Sequence, residues 1–331
     1  MKITLSTWIK ILVGLAISSG LIYYLSTKMN FDEVIKNIKE ADFTYLVFAI
    51  IFSFLSHVSR GLRWSILLED QGYKTSKVGL IAGTYFGYFI NIVIPRGGEL
   101  ARCSSVNFKY GLPTDKLIGT IVLERVIDFI MLILCAFLVL ALNADLFGGY
   151  LEQKLDDAVL ILDQLKLILL VGGISFILFL FYLFKNRTKN SFTIKLVDFI
   201  SGIFNGLKSI RQLKRKTLFI FHTLFIWFMY IMMSFVPFYS FEGTKSLSFP
   251  EGMFTFVLGG IGMTIPSPGG AGSYQTIVSE GMTQVLNVDV DVAGAYAWSV
   301  WGTLTLFTIV VGIITSIFLF KGERHVFSTE N

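Results

Sequence analysis

The chain has 331 residues, of which 54% are apolar and 15% charged, with a net charge of +5 and a mean hydropathy of +0.68. A soluble domain carries about 25% charged residues, so this balance excludes an ordinary soluble enzyme and points to an all-α, polytopic integral membrane protein. The charge surplus is too small to argue for nucleic-acid binding, and no separate soluble domain fits in a single membrane domain that fills 1–331.

Apolar runs occur at 8–25, 43–59, 78–95, 117–142, 165–184, 217–241, 252–265 and 292–320. The first follows Lys2, carries Lys10 near its start and ends in Tyr23-Tyr24-Leu25-Ser26, with no small-x-small cleavage pattern, so it reads as an uncleaved span. Six of the eight segments read as full spans. The runs 78–95 and 252–265 differ, because each is short, ends in Ile-Pro and leads into a glycine pair.

Loop charges set an expected orientation. Residues 185–216 hold nine Lys or Arg against one Asp, whereas 143–164 hold five acidic residues and one lysine. The positive-inside rule places the basic loop and both termini in the cytoplasm, and the acidic loop outside. Arg60, Arg63, Lys74 and Lys77 put 60–77 inside as well. The crossings agree if 78–116 and 250–286 are re-entrant hairpins entering from opposite faces. Two pairs of full spans would preserve the same parity.

The two breaks read FINIVIPRGGELAR (89–102) and GIGMTIPSPGGAGSYQ (260–275), with Pro95 and Pro266 171 residues apart. Pseudo-repeat halves 1–142 and 165–320 in inverted orientation follow, and interrupted segments at matching positions point to a transporter binding site. Proline withholds a backbone donor and glycine admits positive φ, so Pro95, Gly97, Gly98, Pro266, Pro268, Gly269, Gly270 and Gly272 read as hinges or broken-helix ends. Backbone freed there must be buried in protein or line a wet cavity. Helix N-termini after Gly98 and Gly270 would bring partial positive charge inward, which suits an anionic group.

Ionisable residues inside spans are costly and mark function. Glu99 and Arg102 follow the first break, with Arg96 beside them. Glu124 and Asp128 sit at i and i+4 of an apolar run, with Arg125 three residues before Asp128. The two carboxylates would share a proton, or pair with Arg60, Arg63 or Arg102. Arg60 and Arg63 stand at the inner end of the second run, where arginine forks well onto phosphate oxygens but also simply snorkels. The second break carries no charge between Gly252 and Ser279; its polar groups include Ser267, Tyr274 and Gln275. Cys103, Cys135 and the three histidines show no metal-ligand spacing, and no cofactor motif is present.

Taken in order, Arg60-x-x-Arg63-Trp64, Gly98-Glu99-x-x-Arg102, Glu124-Arg125-x-x-Asp128 and Pro266-x-Pro268-Gly269-Gly270-x-Gly272 resemble the membrane region of lysylphosphatidylglycerol synthase, a flippase-like domain. The resemblance covers nearly the whole chain. It implies re-entrant helices and lipid transfer between leaflets in a prokaryotic cytoplasmic membrane, and leaves homo-oligomerisation open. Because the chain ends at Asn331, the soluble aminoacyltransferase of the full synthase is not expected. Family members often carry an acidic residue where Gln275 stands. The expectation is therefore a non-enzymatic transporter of an anionic phospholipid or polyprenyl-phosphate-linked lipid. The alternative is a membrane transferase or hydrolase acting on a lipid-linked substrate through Glu124 and Asp128.

Overall fold

The computed structural model describes residues 5–95, 97–142 and 213–321. The chain divides into two units, 1–142 with 214–331 and 143–213. The apolar run 165–184, the acidic loop, Arg96, the tail beyond 321 and most of the basic loop lie outside the described residues.

Every element described is helical: α1 Leu5–Ser26, α2 Phe31–Glu40, α3 Phe43–Asp70, α4 Lys77–Val93, α5 Gly98–Tyr110, α6 Thr114–Leu142, α7 Lys216–Phe235, α8 Phe249–Thr264, α9 Ser273–Leu286 and α10 Val290–Phe320. The protein is an all-α polytopic membrane protein. The starts are written in capping residues. Asn30, Asp42 and Asp289 accept backbone N–H groups at the first turns of α2, α3 and α10. Gly111 and Asn287, at φ 69° and 54°, end α5 and α9 in the left-handed region.

Length separates two classes of helix. Four, α3, α6, α7 with its following turn, and α10, are long and apolar enough to cross a bilayer. The residues of α1 from Leu12 qualify together with α2, which turns off at 90°. By contrast α5 has 13 residues and α9 has 14. At 1.5 Å per residue each spans about 20 Å, short of the roughly 30 Å hydrocarbon core. Each packs instead against the helix before it, α5 on α4 and α9 on α8. The outward faces of the long helices carry large apolar side chains in lipid-facing positions, among them Phe129, Phe137, Leu306 and Ile314, each exposed by 60% or more.

One end of the unit is held by a core of Trp64 and Leu68 from α3, Leu80 from α4, Cys103 and Val106 from α5, and Leu117 and Ile121 from α6. Here α3 corrects the sequence reading. The helix runs past the apolar stretch 43–59 to Asp70, which keeps Arg60 and Arg63 within it rather than at its end. Arg60 and Arg63 are therefore core residues, 3% and 0% exposed, and do not snorkel to a surface.

Candidate functional site

Three buried arginines meet two carboxylates between α3, α5 and α6. Arg60 bonds one oxygen of Asp128, and Arg63 Nη2 donates to the other at 3.0 Å. Arg60 Nη1 also donates to the Tyr230 hydroxyl at 2.7 Å, which lies 3.3 Å from that of Tyr88. Arg63 Nη1 reaches the Thr223 hydroxyl at 3.3 Å. The i, i+4 spacing of Glu124 and Asp128 does not make a proton-sharing pair, because each carboxylate is taken by its own arginines. Arg102 forks onto Glu124, at 2.8 and 3.4 Å, and its guanidinium lies 3.7 Å from the Trp64 ring centre. Trp64 is pinned in turn by Nε1 donating to Thr120 at 2.8 Å.

These two clusters differ in charge. Arg102 and Glu124 cancel, with both side chains 5% exposed or less. At Asp128 two guanidinium groups face one carboxylate. The Nε–H groups of Arg60 and Arg63, like that of Arg102, are buried with no acceptor among the described residues. That cluster holds unbalanced positive charge and unused donors in a region of low dielectric, where both are costly unless an anion arrives. Arg125 is a looser member. It lies 3.9 Å from Glu99 and 3.9 Å from Asp128, with its side chain 48% exposed.

The Asp128 cluster opens on a cavity of about 630 Å³ whose wall is otherwise mostly apolar. Arg60, Arg125, Asp128, Tyr88, Tyr230 and His57 form its charged and polar end. Asn91 and Ile92 of the first break, and Gly269 and Tyr274 of the second, line it as well. Arg63, Arg102 and Glu124 stand behind this wall, and Glu99 lies beside Arg125. Ser267 and Gln275 serve the closure of the second break: the two hydroxyls of Ser267 and Ser273 are 2.7 Å apart, and Gln275 Oε1 accepts from Gly272 N–H at 2.8 Å.

Both breaks are built for close approach. In the first, a Cβ on Gly98 would fall 2.2 Å from the carbonyl of Gly87, so only glycine lets α5 fold back on α4. Asn91 Oδ1 accepts from Gly98 N–H at 2.7 Å, which caps α5. In the second, Gly269, Gly270 and Gly272 take φ of 56°, 77° and 79°, and the α9 helix starts at Ser273 rather than directly after Gly270. Trp301 Nε1 holds the carbonyl of Gly269 at 2.8 Å. One backbone donor at each helix start is thus taken up by the protein's own Asn91 or Gln275. The breaks meet on α1, where a Cβ at Gly14 would stand 3.0 Å from the carbonyl of Pro266, 3.2 Å from Pro268 and 3.4 Å from Pro95.

Tyr88, Asn91, Thr223 and Tyr230 are not among the residues that the sequence singles out, because a neutral hydroxyl or amide within an apolar run stands out less than a charge. Their signal was a hydroxyl or amide within an apolar run, a group that needs a partner away from water.

Comparison with known proteins gives matches among membrane proteins. The UPF0104 membrane protein MJ1595 of Methanocaldococcus jannaschii is 28% identical over 130 residues, 38% of this chain and 37% of its own. Against that relative the match therefore spans little more than a third of its length. The UPF0104 membrane protein PH1989 of Pyrococcus horikoshii is 23% identical over 264 residues, 70% of this chain and 78% of its own. The sequence profile of the lysylphosphatidylglycerol synthase TM region matches residues 11–320. The chain belongs to the lysylphosphatidylglycerol synthase transmembrane-region family.

Proposed function

We propose that this protein moves an anionic, phosphate-bearing lipid between bilayer leaflets, in the cytoplasmic membrane of a prokaryote with both termini inside. The observation that carries the reading is the Asp128 cluster: two buried guanidinium groups share one carboxylate at the polar end of an apolar-walled cavity. A phosphate oxygen supplies an acceptor to Arg60 and Arg125, the two arginines that line the cavity, and arginine matches it as a fork. Asp128 keeps the two arginines from repelling each other while the cavity is empty. It also weakens their hold enough for a lipid to leave, which a carrier requires. Arg125, half exposed and in loose contact with two carboxylates, is the group free to follow the anion. The capture of Glu124 and Asp128 by arginines favours transport over the alternative of a transferase or hydrolase, since neither carboxylate is left as a general base.

The test is leaflet exchange by purified protein in liposomes carrying fluorescent phosphatidylglycerol and an outside, membrane-impermeant quencher. The intact protein is expected to expose inner-leaflet lipid, and Arg125→Ala to slow this at least tenfold while remaining folded. Unchanged exchange in Arg125→Ala and in Asp128→Asn would remove the cluster from the transport path. Metal-dependent turnover of a lipid-linked substrate by the same preparation would install the enzyme reading in its place.

A further inference from the structure

We propose that the cavity opens sideways to the bilayer between α6 and α8, and that this seam seats an acyl chain of the lipid whose headgroup stands at Arg125 and Asp128. The proposal rests on the transport reading for its headgroup and adds the route by which the chains remain in the membrane.

Two facing stripes make the seam. On α6, Arg125, Phe129 and Leu132 fall at i, i+4 and i+7, one face of the helix, and all three line the cavity. On α8, Phe256, Gly260 and Met263 repeat that spacing and also line it. Yet Phe129 is 63% exposed and Met263 53%, and the Arg125 side chain is half exposed. Residues that both bound a cavity and face outward mark its rim. Across this rim the closure is slight among the described residues: Gly260 offers no side chain, and a Cβ built there would meet, of those residues, only Leu132 Cδ1, at 3.7 Å.

The deep wall is different. Arg60 is buried, Trp227 is buried, and Trp301 is tied to the backbone of the second break. A headgroup held at Asp128 lies four residues from Leu132, about 6 Å along the helix axis. Its chains then come level with the apolar seam. A cavity of ligand scale encloses a headgroup and glycerol but not two long chains, so the chains must leave through a wall, and the rim at Phe129, Leu132 and Met263 is apolar and lipid-facing.

A reversible staple tests this without relying on a bulky substitution that disturbs folding. Leu132→Cys and Gly260→Cys are combined with replacement of the two buried native cysteines, Cys103→Ser and Cys135→Ser. A short bis-methanethiosulfonate joins the new pair. Leaflet exchange is read by albumin extraction of a short-chain fluorescent phosphatidylglycerol. Stapling is expected to slow exchange at least tenfold, and reduction to restore it. In parallel, phosphatidylglycerol with a photoactivatable group in its acyl chain is cross-linked to the unmodified protein and the sites are mapped by mass spectrometry. Labels on Phe129, Leu132 or Met263 are expected. Exchange that survives the staple, or labels confined to other helices, overturns the seam and leaves the transport reading standing. Seam labels in a protein that exchanges no lipid uphold the chain-binding site and overturn the transport reading instead.

Discussion

The two broken hairpins solve one problem with different chemistry. Around the first, α4–α5, the fold is held by charge: Arg102 forks onto Glu124 and stacks on Trp64, and Asn91 caps the returning helix. The second, α8–α9, has no charged residue in its turn and is held by backbone geometry: three glycines at positive φ, hydroxyl contacts of Ser267 and Ser273, and Trp301 on a carbonyl. The difference teaches that a chain can fold back on the preceding helix by pairing charges or by shaping the backbone. In this molecule the charged hairpin borders the arginine cluster, while the neutral one completes the apolar wall.

The comparison breaks most visibly at Glu124. Glu124→Ala leaves Arg102 buried with no anion, and removing one partner of a buried pair costs about 3–5 kcal/mol. A large fall in thermal stability of the detergent-solubilised protein is the expected result. The double variant Arg102→Met, Glu124→Leu is expected to regain most of it, since an apolar pair of similar volume replaces a buried ion pair at little cost. A fall below about 1 kcal/mol in the single variant would mean that Arg102 is not held as a closed pair.

In the second hairpin the matching break is Gly270→Ala. The position has φ of 77°, and a Cβ would lie 2.2 Å from Met263 Sδ, the end of a flexible side chain that can move aside. What remains is the left-handed backbone, about 1–3 kcal/mol for a residue with a side chain. Thermal unfolding reads it directly. A neutral outcome would show that the turn relaxes and that the glycines are not what shapes it.

Asn91→Ala is the smaller break of the first hairpin. It removes the acceptor for Gly98 N–H and should cost about 1 kcal/mol, the usual value of a helix cap. Because Asn91 also lines the cavity, the exchange assay separates its parts: stability falls slightly while exchange changes by no more than a few fold. Loss of exchange with full stability would make Asn91 a ligand contact rather than a cap.

How far this arrangement was legible varies with its physics. The broken segments were legible because Pro95, Pro266, Pro268 and the glycines act locally, through φ and missing donors, and local effects are written in neighbouring residues. The charged residues were legible as a set, because charge in an apolar run is costly wherever it falls. Their pairing was not. Spacing put Glu124 and Asp128 on one face but could not say that Arg102 takes the first while Arg60 and Arg63 share the second, since these partners lie 22 to 68 residues away. The extent of α3 was misread for a related reason. Arg60 and Arg63 look like the end of a span until α5, α6 and α7 surround them. The meeting of both breaks at Gly14 left no signal, because a glycine in an apolar helix resembles any other until its neighbours are known.

The smallest effect is expected where α1 meets the second hairpin by a polar contact. The Tyr24 hydroxyl donates to Glu280 Oε1 at 2.9 Å, at an exposed site. Water competes for both groups there, so the bond is worth no more than about 0.5–1 kcal/mol net, and Tyr24→Phe keeps the ring. Thermal stability should therefore move by only a degree or two. The packing of Gly14 on Pro95, Pro266 and Pro268 is the contact that places α1 over both breaks, and it is untouched by this change. A Tyr24→Phe variant that loses several kcal/mol would reverse that ranking. It would mean that α1 is held at its Tyr24 end, and that its grip on the two prolines follows from that anchor instead of setting it.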